Sequence, residues 1–269
     1  MNLLLLLILC CNFTWSQTVF LNKKDILSIP SYQILDVRNI HSFKQQRIKR
    51  SLHIDVNKLN DAKSIKSSLL LTKNALQDAL RLQGVNSFKN YLVLGLGIHK
   101  WGEDGRLYWL LSNSSSANVY LYDGGFKQYS KDFPDKLTKG TINIKSGNII
   151  LDKDWQPLSY AEVKNYQGTV VDVRTTAEFL GATPFGSQTG GRLPNAISFP
   201  WSDFFTPRGL IDHSNKSAVL DKMAKDQKVL VYCTAGYRSA LVYAVLKDWG
   251  FKADNYDGSW FEYSIRSQQ

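Results

Sequence analysis

The chain is predicted to fold as two consecutive α/β domains, each a parallel sheet flanked by helices. Three observations carry this expectation. At 269 residues the chain is too long for one small domain and suits two of about 120 each. Two tripeptides recur in the same order. Asp36-Val37-Arg38 returns 136 positions later as Asp172-Val173-Arg174, and Tyr122-Asp123-Gly124 returns 134 positions later as Tyr256-Asp257-Gly258. Nearly equal offsets mark a duplicated unit. Short apolar runs also alternate with helical periods throughout, as in sheets built from strand–helix–strand crossovers.

Taken in order, Met1 to Ser16 carry no charge and contain an unbroken apolar run, Leu3 to Cys11. Nine apolar residues are too few to span a bilayer, which needs about 20. Thr14-Trp15-Ser16 puts small residues at −3 and −1 of a cut before Gln17, so residues 1–16 are read as a secretory signal peptide. A buried N-terminal strand is the other reading. Cleavage implies a periplasmic or secreted protein with no stable membrane insertion. It also removes Cys10 and Cys11 and leaves Cys233 as the one thiol, which can form no internal disulfide.

In the first domain, residues 17–140, Tyr32 to Val37 is a β-rich run ending at the first Asp-Val-Arg. Tyr91 to Leu96 is a continuous apolar run suited to a strand buried on both faces, and it leads through a loop to a helical stretch around Leu107 to Leu111. The polar, Lys-rich stretch from about Asp132 to Pro157 is the expected linker, within which Thr141 to Ile150 is a candidate edge strand. In the second domain, residues 141–269, the order repeats: Thr169 to Val173, then Lys228 to Tyr232, then a helix over Ser239 to Trp249.

The chemistry is expected where Val229-Leu230-Val231-Tyr232 runs into Cys233-Thr234-Ala235-Gly236-Tyr237-Arg238-Ser239. This order places the thiol at the carboxyl end of a parallel strand and at a helix N-terminus, where open α/β sheets bind ligands. Backbone N–H groups of residues 234 to 238, the helix dipole and the permanent cation Arg238 all favour a thiolate. Such a bowl holds an anion with a reactive centre, or a persulfide on Cys233 itself. The bland alternative is an inert core cysteine followed by a glycine turn.

These residues resemble a known family. Cys233-x-x-Gly236-x-Arg238-Ser239 looks like the active-site loop of the tandem-domain rhodanese (thiosulfate sulfurtransferase) family. Asp172-Val173-Arg174 with Glu178-Phe179 and Gly191 to Ile197, and Tyr256-Asp257-Gly258-Ser259-Trp260, resemble two further blocks of it. The resemblance covers residues 18 to 265, more strongly in the second half. It implies a five-stranded parallel sheet in each domain and a double displacement. Cys233 takes sulfane sulfur from thiosulfate, becomes a persulfide, and passes the sulfur to a thiophile such as cyanide or a thiol. Thr234, Ala235, Gly236, Tyr237 and Arg238 are then substrate-binding, with Arg192 as a second anion contact; no cofactor and no metal are called for. The partners implied are a small anionic sulfur donor, a thiophilic acceptor, and a protein acceptor of sulfur as a further candidate.

The sequence departs from the family in two places. In the first domain, residues 94–106 fill the corresponding loop with no cysteine, so that domain is expected to be inactive and to wall the active cleft. Its Gly97 and Gly102 make a weak phosphate-cradle pattern, opposed by Glu103 and Asp104, and Trp101 and Arg106 are not expected to act in catalysis. In the second, Glu178 stands where related enzymes carry arginine and repels an anion unless paired, Arg174 being the candidate partner. This departure, with Tyr237 and Arg238 in the loop, argues against 3-mercaptopyruvate. A cysteine phosphatase needs five residues between Cys and Arg, whereas four stand here. A persulfide or polysulfide carrier without turnover needs the same loop and is the remaining alternative.

Composition narrows the partners. The net charge of +10 suits anions in general, but beyond Arg47-Ile48-Lys49-Arg50 there is no dense basic cluster, and nucleic acid is not expected. His41, His53, His99 and His213 lack metal-ligand spacing, and Asn113-Ser114-Ser115 and Asn215-Lys216-Ser217 are glycosylation sequons by pattern.

Overall fold

A computed structural model describes residues 18–64, 68–222 and 228–268. The signal-peptide expectation falls on residues 1–16, outside them. Among the described residues no helix is long and apolar enough to cross a membrane.

The first half runs β1 (Phe20–Leu21), α1 (Lys23–Ser28), β2 (Gln33–Asp36), α2 (Ile40–Gln45), β3 (Arg47–Ile48), β4 (Leu52–His53), α3 (Lys73–Leu82), β5 (Asn90–Leu94), α4 (Glu103–Ser114), β6 (Asn118–Tyr122), α5 (Gly125–Asp132) and β7 (Leu137–Thr138). The second runs α6 (Tyr160–Lys164), β8 (Thr169–Asp172), α7 (Thr176–Phe179), β9 (Ile197–Ser198), α8 (Lys216–Lys222), β10 (Lys228–Tyr232), α9 (Tyr237–Asp248), β11 (Lys252–Asn255) and α10 (Ser259–Arg266). Strands pair in parallel in the order β1-β6-β5-β2-β4 and, in the second half, β11-β10-β8-β9. β5 is buried along its whole length and β10 beyond its first residue, because helices cover both faces of each sheet.

The second sheet thus has four strands among the described residues, not the five implied by the resemblance. β1 is the extra edge strand of the first sheet, leading into the capping box at Asn22. The corresponding approach to the capping box at Ser159 is Gln156-Pro157-Leu158. Pro157 has no N–H to give a ladder, so no edge strand forms.

The linker also differs from expectation. Thr141 to Ile150 forms no strand; the segment lies along the first domain, where the N–H of Gly147 donates to Arg81 O at 2.8 Å and that of Ile149 to Val85 O at 3.1 Å. Ile149 and Leu151 are buried in the main core. The strand that does form nearby, β7, pairs antiparallel with β3.

One hydrophobic cluster runs through both halves, from Leu35, Val93 and Leu107 to Val171, Val231 and Leu241. Its centre is the crossing of α4 on α9. A Cβ on Gly105 would collide with the backbone of Leu241, so the two helices meet at a glycine. The repeated Tyr-Asp-Gly blocks latch the halves reciprocally. Asp123 Oδ1 accepts the N–H of Ile211 at 2.9 Å, and Asp257 Oδ2 accepts that of Leu70 at 2.9 Å. Asp257 also pairs with the fully buried Arg106 at 2.6 Å. Asn113, read as a sequon, is instead part of this interface, with its Nδ2 donating to Trp109 O at 2.7 Å and to Tyr243 Oη at 3.2 Å.

Candidate active site

β10 delivers Cys233 to the end of its strand, and Gly236, with φ 78°, turns the chain into α9. That left-handed conformation suits glycine. Space demands it too, since a Cβ would strike Asp257 O. The Cys233 side chain is 1 % exposed. Its backbone N–H donates to Ser259 Oγ at 3.1 Å, and the Ser239 hydroxyl donates to Sγ at 3.5 Å. Burial pushes the Cys233 pKa up, but the Arg238 guanidinium, the Ser239 hydroxyl and the N–H groups of Ser239 and Ala235 outweigh it, and the net shift is downward.

Arg238, 3 % exposed, is held by a carboxylate. Its Nη1 donates to Glu178 Oε2 and its Nη2 to Oε1, both at 2.8 Å, while Nη2 also donates to Thr234 Oγ1 at 2.6 Å. Thr234 in turn donates to Glu178 Oε1 at 2.6 Å. Burial raises the Glu178 pKa, but these bonds and the Arg238 charge hold it down at about 2. The expected Glu178–Arg174 pairing is therefore wrong. Arg174 is occupied by Asp172 at 2.6 Å and by Gly191 O, because the Asp-Val-Arg tripeptide closes its own ion pair. Asp36 and Arg38 do the same in the first half, at 2.7 Å.

The thiol opens on a cavity of about 260 Å³. Thr234, Ala235, Tyr237 and Arg238 line its floor with Cys233, while Phe261, Phe185 and Trp101 form its walls. Two expected contacts lie elsewhere. Gly236 shapes the loop without lining the cavity, and Arg192 is exposed, its guanidinium stacked 4.6 Å from the Phe179 ring. Sequence reasoning missed Glu178 as the partner of Arg238, Phe185 and Phe261 as walls, and Asn60, whose Nδ2 donates to Tyr237 Oη at 2.7 Å from the other domain. Trp101 and Arg106, set aside for catalysis, have structural places: Trp101 walls the cavity from the first domain and Arg106 lies 5.1 Å from the Tyr237 ring.

The first domain's own loop is closed by its own chain. Gly95 follows β5 as Cys233 follows β10, and Asp104 stands two residues after Gly102 (φ 79°) as Arg238 stands two after Gly236. A Cβ on Gly95 would lie 2.7 Å from the Asp104 carboxyl, and Asp104 Oδ2 accepts the Gly97 N–H at 3.1 Å. The carboxyl fills the space of a cysteine side chain, so no phosphate cradle exists there.

Asp104 is pushed up to about 6 by burial, with Glu103 adding repulsion. Because its folded pKa exceeds the unfolded value near 3.8, its contribution is full below that value and is lost as pH rises through about 6. The loss amounts to about 3 kcal/mol at about 1.36 kcal/mol per unit. Glu178 acts oppositely, stabilising above its unfolded value near 4.5 and losing that as pH falls towards about 2. Chemical denaturation across pH 4 to 7 is expected to show a decline in the wild-type protein that is shallower in Asp104→Asn; parallel curves would refute it.

Comparison with known proteins places this architecture. The model of the rhodanese-like domain matches residues 22–132 and again 159–266. The chain belongs to the rhodanese-like domain family. The loop that carries Cys233 lies in the second matched segment, and the loop closed by Asp104 lies in the first. A Corynebacterium glutamicum thiosulfate sulfurtransferase is 41% identical over 108 residues, 35% of this chain and 35% of that protein. The sulfur carrier protein TtuD of Thermus thermophilus is 27% identical over 190 residues, 66% of this chain and 60% of that one. The chain thus matches about a third of the first relative's length and three fifths of the second's. Among solved structures, the SseA 3-mercaptopyruvate sulfotransferase of Escherichia coli superposes with a TM-score of 0.73 at 20% identity, covering 91% of this chain and 99% of that one. The Tum1 protein of Saccharomyces cerevisiae gives 0.77 at 18%, covering 93% and 96%. These rhodanese neighbours agree in fold.

Proposed function

We propose that this protein is a sulfurtransferase that moves sulfane sulfur from thiosulfate to a thiophilic acceptor through a persulfide on Cys233. The observation that carries the reading is the buried Cys233 thiol with a lowered pKa, faced by backbone N–H groups, the Ser239 hydroxyl and Arg238. The thiolate attacks the outer sulfur of thiosulfate; the S–S bond breaks and its electron pair leaves with sulfite. The terminal sulfur of the persulfide is then attacked by cyanide or a thiol, which carries it away and returns the thiolate. The relatives named for thiosulfate sulfur transfer support this donor.

The experiment adds thiosulfate to the protein, records intact mass, then adds cyanide and assays thiocyanate, with Cys233→Ala as control. One added sulfur on Cys233, discharged with repeated turnover, is the expected result, and the alanine variant loses both. A sulfur that forms and discharges once without turnover turns the assignment to a sulfur carrier, the role for which TtuD is named. Hydrolysis of an aryl phosphate with no added sulfur turns it to a phosphatase.

A further inference from the structure

The walls of the cavity are aromatic and come from both domains. Trp101, on the first-domain loop between Leu96 and Gly102, meets Phe185 of the second domain edge to face, with ring centroids 5.1 Å apart and planes at 87°. Both rings are large and solvent-facing, 47% and 42% exposed, and together they make one contiguous apolar surface at the cavity mouth. Phe261 and Ala235 continue the apolar lining inward to the thiol. The loop that carries Trp101 is seated firmly: Gly102, with φ 79°, lies against the Tyr237 backbone, and Asp104 holds the Gly97 N–H.

The charge balance points the same way. Among the described residues Arg238 is the cation that lines the cavity, and both of its terminal nitrogens donate to Glu178. Its charge is shared between Glu178 and the sulfur, and the other walls of the mouth are aromatic. A molecule with a single negative charge at the reacting sulfur and an apolar body meets matching surfaces at both ends. Size agrees, since a cavity of about 150 Å³ holds a benzene ring, and this one has about 260 Å³.

Resting on the sulfur-transfer reading above, we infer that the preferred donors are organic sulfane compounds with an aryl or comparably bulky apolar group, and that Trp101 and Phe185 determine this specificity. With an organic thiosulfonate the step balances simply. The Cys233 thiolate attacks the outer sulfur, the bond to the sulfonyl sulfur breaks, and its electron pair leaves as the sulfinate. One thiolate and one monoanion become one persulfide anion and one sulfinate, with no oxidant or reductant.

The test compares benzenethiosulfonate with methanethiosulfonate, which carry the same charge and reacting atoms and differ in the apolar group. The thiocyanate assay is expected to give kcat/KM at least about tenfold higher for the phenyl donor, the scale at which apolar pockets discriminate. In Trp101→Ala and Phe185→Ala the ratio falls towards one through KM for the phenyl donor, and Trp101→Phe restores part of it. A wild-type ratio near one, or a ratio unchanged in both alanine variants, overturns the inference while leaving sulfur transfer intact. Should no donor load Cys233, sulfur transfer itself fails, and binding still decides the inference. Benzenesulfinate is expected to slow alkylation of Cys233 by iodoacetamide at concentrations where methanesulfinate does not. Equal protection by the two overturns it.

Discussion

Replacing Arg238 by alanine is expected to raise the pH midpoint for iodoacetamide alkylation of Cys233, which the wild-type site holds below the ordinary thiol value. The reason is a balance of opposed effects. Burial alone pushes the thiol up, and Arg238 is the largest influence holding it down. Without the guanidinium, the hydroxyl of Ser239 and two backbone N–H groups face the sulfur against full desolvation. The same change leaves Glu178 buried with no counter-charge, and removing one partner of such a pair costs about 3–5 kcal/mol. Glu178→Gln shifts the thiol the other way, because it frees the Arg238 charge to act on sulfur, and it also destabilises the fold. The double variant Arg238→Met with Glu178→Leu separates the two roles. Stability returns when both charges leave, while the alkylation midpoint stays high. If Arg238→Ala left the midpoint unchanged, the electrostatic account of the thiolate would be wrong, whatever happened to stability.

The second large effect is at the helix crossing. Gly105→Ala is expected to destabilise the protein although alanine is the better helix former by about 1 kcal/mol. The new methyl meets the Leu241 backbone, which cannot yield as a rotamer can. Overpacking of this kind costs about 1–3 kcal/mol, so sterics outweigh propensity, and Gly105→Val costs more. Calorimetry is expected to show one cooperative transition for the wild-type protein, because a single core joins the halves. In Gly105→Val that transition moves to lower temperature and divides in two. A higher transition temperature for Gly105→Ala would mean that α4 and α9 do not meet as closely as described.

Much of this protein is legible in its sequence, and the reasons are local. The repeated Asp-Val-Arg blocks mark a self-contained ion pair, closed within three residues in each half. The apolar runs around β5 and β10 mark strands buried on both faces, whose neighbours in the fold are of the same kind. The cysteine loop carries its own chemistry, since its N–H groups, its glycine turn and its arginine all lie within six residues of Cys233. What misled sequence reasoning was equally physical. The four-residue spacing of Arg174 and Glu178 suggests a helical pair, but α7 begins only at Thr176, so Arg174 lies outside the helix that spacing presumes. Arg192 looked like an anion contact because charge is visible in a sequence and direction is not.

The sequence by itself determined a duplicated α/β plan, a thiol at the end of a strand in the second half, and a matching first-half loop without a cysteine. Only the tertiary structure decided what surrounds that thiol. Glu178 reaches Arg238 across 60 positions of chain, Asn60 reaches Tyr237 from the other domain, and Trp101 meets Phe185 across the cleft. Periodicity and short motifs report which face of an element is apolar and which residues share a loop. They are silent on contacts made by closing the chain over such distances, and those contacts set the charge and the shape of the site.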